Sequence, residues 1–111
     1  IVPYRNQISA VRAAIVARCG SGAATAVTID TVERYQGSQR EHIIYGTTVN
    51  DTAQLAFLCD STMTDIDGCI VDRRLNVALT RAREYLTIVG NPDVLRFSPV
   101  YATLLYSLGA L

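Results

Sequence analysis

The sequence predicts an α/β domain built around a mainly parallel sheet. Strand-like runs alternate with helical ones along the chain, which favours right-handed crossovers between parallel strands. The run HIIYGTTV (42–49) is largely apolar, as a strand buried on both faces should be. Half of the 111 residues are hydrophobic, enough for one domain with one core.

The elements follow in order. After Pro3, Ile8, Val11 and Ile15 recur at helical spacing, so 6–19 reads as a helix that Gly20 and Gly22 stop. CGSGAAT then reads as a loop, and AVTI (26–29) as a short β-branched strand. Asp30 and Glu33 have capping-box spacing over a very short helix that Gly37 would close. Residues 50–71 show little periodicity and read as an insertion loop with room for a short helix and an Asp67-Gly68 turn. Asp72 caps a helix running to about Arg83. YLTIVG (85–90) is the third strand, broken by Asn91-Pro92. Ser98-Pro99 opens a closing helix with Tyr101, Leu104, Leu105 and Leu108 as its apolar stripe.

Composition narrows the function classes. Net charge is zero, from ten basic and ten acidic residues, so the total argues neither for nor against nucleic acid. All ten basic residues are arginine, the side chain whose planar fork matches phosphate oxygens. Lineage bias accounts for the same count. Cys19, Cys59 and Cys69 form no CxxC pair and read as small hydrophobes in a reducing compartment. No metal site is expected, and His42 reads as structural. No apolar run is long enough to span a bilayer, so no membrane role is expected. The opening residues IVPYRNQ read as the interior of a longer protein, with Ile1-Val2 as the tail of a strand.

Two stretches carry candidate chemistry. In RRLNVALTRAR (73–83), Leu75, Ala78, Leu79 and Ala82 share one stripe, with arginines along its polar edges. The arginines fit a surface helix paired with nearby acids. They also fit a rigid mount that offers a guanidinium to a phosphate on another surface. In TVERYQGSQRE (31–41), a one-turn helix with exposed amides, Thr31, and Gly37 allowing close backbone approach suits an anion. The same spacing fits a capped connector with no ligand. To cooperate, the two stretches would have to sit near a shared edge of the sheet.

Together these stretches resemble superfamily 1 helicases of the 1B branch that contains the mRNA-surveillance and replication helicase-nucleases. VPYRNQ (2–7) resembles the family's TPYxxQ segment, TVERYQGSQRE its motif V, and RRLNVALTRAR with IVGN (88–91) its motif VI. The resemblance implies a three-layer RecA-like domain of P-loop NTPase type, N-terminally truncated. Residues 1–111 would be the second, C-terminal motor domain of a longer chain. It implies ATP-driven helicase or translocase activity, with Arg81 as the arginine finger on the γ-phosphate. Gly37 and Gln39 would border the nucleotide, with Arg74 and Arg83 supporting that ATP site and Gln36 linking it to the nucleic-acid side. Thr31, with Val32, would contact single-stranded nucleic acid, DNA being favoured over RNA. Tyr4, Arg5 and Gln7 would lie near the domain interface.

ATP and Mg²⁺ are the implied cofactors. The phosphate loop and the Mg²⁺ ligands are expected in the first RecA-like domain, since neither motif occurs here, so the fragment alone should be inactive. Closing and opening the cleft between domains would move the strand past Thr31. The implied location is intracellular, nuclear in a eukaryote. Gln39 departs from the family's usual Glu and loses its charge. That departure keeps a second reading open, a non-catalytic helicase-derived module that binds nucleic acid or protein. A stand-alone small-molecule domain of flavodoxin type would need a complete first strand and phosphate loop.

Overall fold

A computed structural model describes residues 1–35, 39–59, 62–64, 67–68 and 70–109. The chain is a mixed α/β domain whose principal sheet is a parallel pair. In order come α1 (Asn6–Cys19), α2 (Ser21–Ala26), a 3₁₀ turn (Val32–Tyr35) and β1 (Arg40–Gly46). There follow α3 (Thr52–Leu58), β2 (Thr62–Thr64), β3 (Ile70–Asp72), α4 (Arg73–Arg81), β4 (Ala82–Val89), α5 (Pro92–Leu95) and α6 (Pro99–Ser107). β1 and β4 pair in parallel, with Arg40 opposite Ala82 and Gly46 opposite Val89. β2 and β3 form a short antiparallel hairpin within the stretch read as a loop, where α3 also lies.

The helix caps follow the sequence. The side chains of Asp51, Asp72, Asn91 and Ser98 accept from the backbone amides of Gln54, Leu75, Asp93 and Tyr101. Such caps satisfy amides that have no partner inside the helix.

Four expectations differ. CGSGAAT is not a loop, because Gly20 at φ +87° takes the whole chain reversal and the alanine-rich run after it forms α2. AVTI does not form a strand. Ala26 instead ends α2, and the parallel bridge to Val2 falls beyond the segment, at Thr31. The helix from Asp72 ends at Arg81 rather than Arg83, since pairing with β1 draws Ala82 into an extended conformation. Leu79 therefore sits partly exposed while Leu75 and Ala78 are buried. Nor does Glu33 complete a capping box, for its carboxylate turns to Arg74 instead.

The core lies on one face of the β1–β4 pair. Ile43 and Tyr45 from β1 meet Leu55 and Leu58 of α3, Leu75 and Ala78 of α4, Leu95 of α5, and Tyr101 and Leu105 of α6. Tyr45 and Tyr101 are both fully buried, and their hydroxyls lie 3.1 Å apart. On the opposite face His42, Ile44, Tyr85, Thr87 and Val89 are exposed, with His42 Nε2 3.0 Å from Thr87 Oγ1. α1 stands beside this face and buries no residue.

Two predictions follow from the packing. Burial raises the Tyr45 hydroxyl from 10.0 to about 12, opposed by its hydrogen bond to Tyr101, and burial also raises Tyr101. A raised folded pKa gives stability that is complete below the unfolded value and lost as pH rises through the folded one. The domain should therefore lose stability as pH rises from 10 to about 12, with the fall tracking ionisation of the buried tyrosines. Parallel absorbance and circular dichroism titrations check this. At Gly90 an added Cβ would collide with Thr47 Oγ1 and Leu95 Cδ1. Gly90→Ala should cost about 1–3 kcal/mol, read as a lower midpoint in urea.

Candidate functional site

α4 is fixed before it presents anything. Asp72, buried at its amino end, accepts from the Leu75 amide at 3.1 Å, and Leu75 and Ala78 lock one side into the core. Arg81 is the last residue of this helix and is half-buried. Its Nε is buried and has no hydrogen-bond partner among the described residues. Its Nη2 donates to Thr80 Oγ1 at 3.1 Å, and that hydroxyl donates back to Asn76 O at 2.9 Å. Among the described residues no carboxylate forms an ion pair with Arg81. A buried donor without an acceptor is costly, and an anion arriving at this edge would relieve it.

Arg74, two turns earlier, is engaged within the domain. Its Nη1 donates to Phe57 O at 2.8 Å and Leu58 O at 3.1 Å, the open carbonyls at the end of α3. Its Nε lies 3.3 Å from Glu33 Oε1, and its guanidinium stands 5.2 Å from the Phe57 ring centroid. The Tyr4 ring stacks on Phe57 at 5.0 Å between centroids. One arginine thus joins α3, α4 and the 3₁₀ turn, with Tyr4 and its segment stacked behind it.

The two candidate stretches do meet. Glu33 of the 3₁₀ turn and Arg74 of α4 are an ion pair, and the Arg40–Ala82 register sets Gln39 and Arg81 at the amino ends of adjacent strands. That is the opposite end of this pair from the carboxyl ends at which parallel sheets usually bind ligands. Gln39 is exposed, and its carbonyl accepts from Arg40 Nη1 at 2.9 Å. Gln36 and Gly37 lie outside the described residues. Arg83 falls in β4, not on the helix, and is exposed.

Thr31 is buried, its amide donating to Asp30 Oδ1 at 2.8 Å and its carbonyl accepting from Arg34. Val32 is in the core, so its side chain holds the turn rather than facing outward. The exposed groups here are Glu33 and Arg34, the latter 3.5 Å from Asp30 Oδ2. Arg5 is exposed at the start of α1. Gln7 Nε2 donates to Thr48 Oγ1 at 2.7 Å, holding a threonine at φ 54° where β1 ends.

The sequence marks Glu33 only as a capping residue and gives no role to Phe57 or Arg34. Glu33 and Arg74 are 41 positions apart, and no spacing rule connects them. Among the described residues no group of three or more metal-capable side chains converges. No helix among them is long and apolar enough to cross a membrane. Burial raises the Cys59 thiol, which keeps it protonated beside Ser98 and Asp72.

With this geometry in view, the likenesses to known proteins can be placed. The AAA domain family model matches residues 1–93. Helicase sen1 of Schizosaccharomyces pombe is 32% identical over 105 residues, 94% of this chain and 6% of that protein. The Regulator of nonsense transcripts 1 homolog of Arabidopsis thaliana is 37% identical over 80 residues, 71% of this chain and 6% of that protein. The Putative ATP-dependent RNA helicase ECM32 of Saccharomyces cerevisiae is 41% identical over 69 residues, 61% of this chain and 5% of that protein. The chain thus spans only a small part of the length of these relatives. From the matched family model and these relatives, the chain belongs to the superfamily 1B helicases.

Proposed function

We propose that residues 1–111 form the second, C-terminal RecA-like motor domain of a longer ATP-dependent helicase or translocase. In that reading the domain is three-layered, and its bare sheet face is covered by polypeptide outside this segment. The observation that carries the reading is Arg81, held on a rigid helix with a buried, unpartnered Nε and no carboxylate pair among the described residues. A guanidinium in that state suits an anionic acceptor from a neighbouring domain.

ATP, held with Mg²⁺ by the first RecA-like domain, would supply the phosphoryl group that is transferred to water. Arg81 would donate to its γ-phosphate oxygens as charge develops there, acting as an arginine finger. Gln36, Gly37 and Gln39 would border the nucleotide, with Gln39 offering an amide to a sugar hydroxyl. Arg74 would hold the nucleotide side and the 3₁₀ turn in one frame, and Arg83 would add positive charge at the same edge. Thr31 and Val32 would set the turn that meets single-stranded nucleic acid through backbone and hydroxyl contacts, which position a strand without reading its sequence. Tyr4, Arg5 and Gln7 would border the first domain. The expected setting is intracellular. DNA was the favoured strand from sequence, whereas one relative is named as an RNA helicase, so both belong in the test.

Gln39 favours a second reading, a helicase-derived module that binds nucleic acid or protein without turnover. Strand-stimulated ATPase of the parent protein, with DNA and RNA side by side, separates the two. Turnover raised by either strand supports the motor, and no turnover with retained binding supports the module. Arg81→Ala should leave ATP binding nearly intact while hydrolysis falls roughly 10³–10⁵-fold. Normal turnover in that variant would remove the finger assignment. Thr31→Val keeps the buried volume and removes the hydroxyl. It should weaken single-strand binding about 2–10-fold, the worth of one hydrogen bond.

A further inference from the structure

We infer that Thr80 is a positioning residue for Arg81: its hydroxyl, tied to the backbone of α4, accepts from the guanidinium and fixes the direction in which that group meets an anion. The inference rests on the finger role proposed above for Arg81, and it adds a residue that acts through Arg81 without touching the nucleotide.

The hydroxyl is committed in both directions. Thr80 Oγ1 donates to Asn76 O at 2.9 Å, with Val77 O at 3.2 Å sharing the same hydrogen. A hydroxyl has one hydrogen to give and two lone pairs. With the hydrogen spent on the helix, the oxygen can only accept, and it accepts from Arg81 Nη2 at 3.1 Å. The β-branch adds stiffness, since threonine has few rotamers in a helix and bonds in this way to carbonyls three and four residues back.

The backbone does not need this hydroxyl. Asn76 and Val77 lie inside α4 (Arg73–Arg81), where carbonyls accept from the amides four residues on. The open carbonyls of a helix belong to its last four residues. Nor does adjacency in sequence force the contact. Side chains one residue apart on a helix diverge by about 100° and do not face each other. The Arg81 stem turns back across the end of α4 to reach Thr80.

The consequence is a guanidinium located at two of its nitrogens. Nη2 is anchored on Thr80, and Nε is buried with no acceptor among the described residues. Because the group is planar, holding both atoms sets its plane. A free arginine would have to give up its rotamer freedom when the phosphate arrives. A donor already aimed stabilises developing charge without reorganising at the moment of reaction.

The test is ATPase of the parent protein carrying Thr80→Val or Thr80→Ser, each alone and combined with Arg81→Ala. Thr80→Val keeps the shape and the β-branch and removes the acceptor. It should lower kcat roughly 5–20-fold, with KM for ATP and the urea midpoint unchanged. Thr80→Ser keeps the acceptor and should stay within about 3-fold of the parent. In the Arg81→Ala background, Thr80→Val should cost nothing further in single-turnover rate.

Parent-like kcat in Thr80→Val would overturn the inference. So would equal losses in both Thr80 variants with a lowered urea midpoint, the mark of a structural role. A further loss of the same size on top of Arg81→Ala would also overturn it, by placing the effect of Thr80 outside Arg81. Normal turnover in Arg81→Ala, or a parent that hydrolyses no ATP, removes the finger and this role together. Collapse in Arg81→Ala beside parent-like turnover in Thr80→Val keeps the finger and removes Thr80 alone.

Discussion

The parallel pairing of β1 with β4 is the constraint on which the rest depends. Its register, Arg40 opposite Ala82, ends α4 at Arg81 and begins the strand one residue later. No glycine or proline marks that helix end. A shift of one residue would turn the alternate side chains to the other face and carry Tyr45 out of the core. It would also rotate Arg81 away from the edge it shares with Gln39. The position of the key arginine is thus decided by sheet register, and the helix transmits that decision because its other end is capped by Asp72 and its flank is buried.

Two arginines on this one helix illustrate how context divides identical chemistry. Arg74 has carbonyls, a carboxylate and an aromatic ring within reach, and its charge is used to bind the domain together. Arg81 has a threonine hydroxyl on one nitrogen, while its buried Nε has no acceptor among the described residues. A domain that needed arginine only for solubility would expose the guanidinium, because surface charges in water are cheap and weakly coupled. Burying one nitrogen without an acceptor carries a standing cost, and a cost of that kind is common where a group awaits a ligand. Net neutrality does not conflict with this, since the relevant field comes from a few fixed groups rather than from the sum over the chain.

Much of this was legible in the residues. Asp72 and Ser98 read as caps because a short polar side chain before an apolar run has few other uses, and both are caps. The stripe through Tyr101 and Leu105 read correctly because burial imposes a period, whereas the strand around Ile43 and Tyr45, read as buried on both faces, is buried on one and leaves Ile44 exposed. The failures share a cause. The end of α4, the absence of a strand at 26–29 and the Glu33–Arg74 pair are all settled by contacts distant in sequence, to which local propensity is blind. α2 was hidden differently, by two glycines close together of which only Gly20 adopts a positive φ. Motif order singled out Arg74 and Arg81 alike, yet it could not tell that Arg74 would be engaged within the domain by carbonyls and a carboxylate.

The uneven finish of the two sheet faces bears on how such a site could work. One face is packed by α3, α4, α5 and α6, while the other leaves Ile44, Tyr85 and Val89 exposed. The packed face carries Asp72, Leu75 and Ala78, so the mount of Arg81 is rigid within the described residues themselves. The bare face and the groove beside α1 carry no such packing among the described residues, so rigidity is concentrated on one side of the sheet. In the proposed motor reading that division is useful. The element that meets a phosphate must hold its angle through each cycle, while the surfaces that exchange partners need only be buried well enough in each state. Rigidity at Arg81 and incompleteness at the opposite face are then consistent demands on one small sheet.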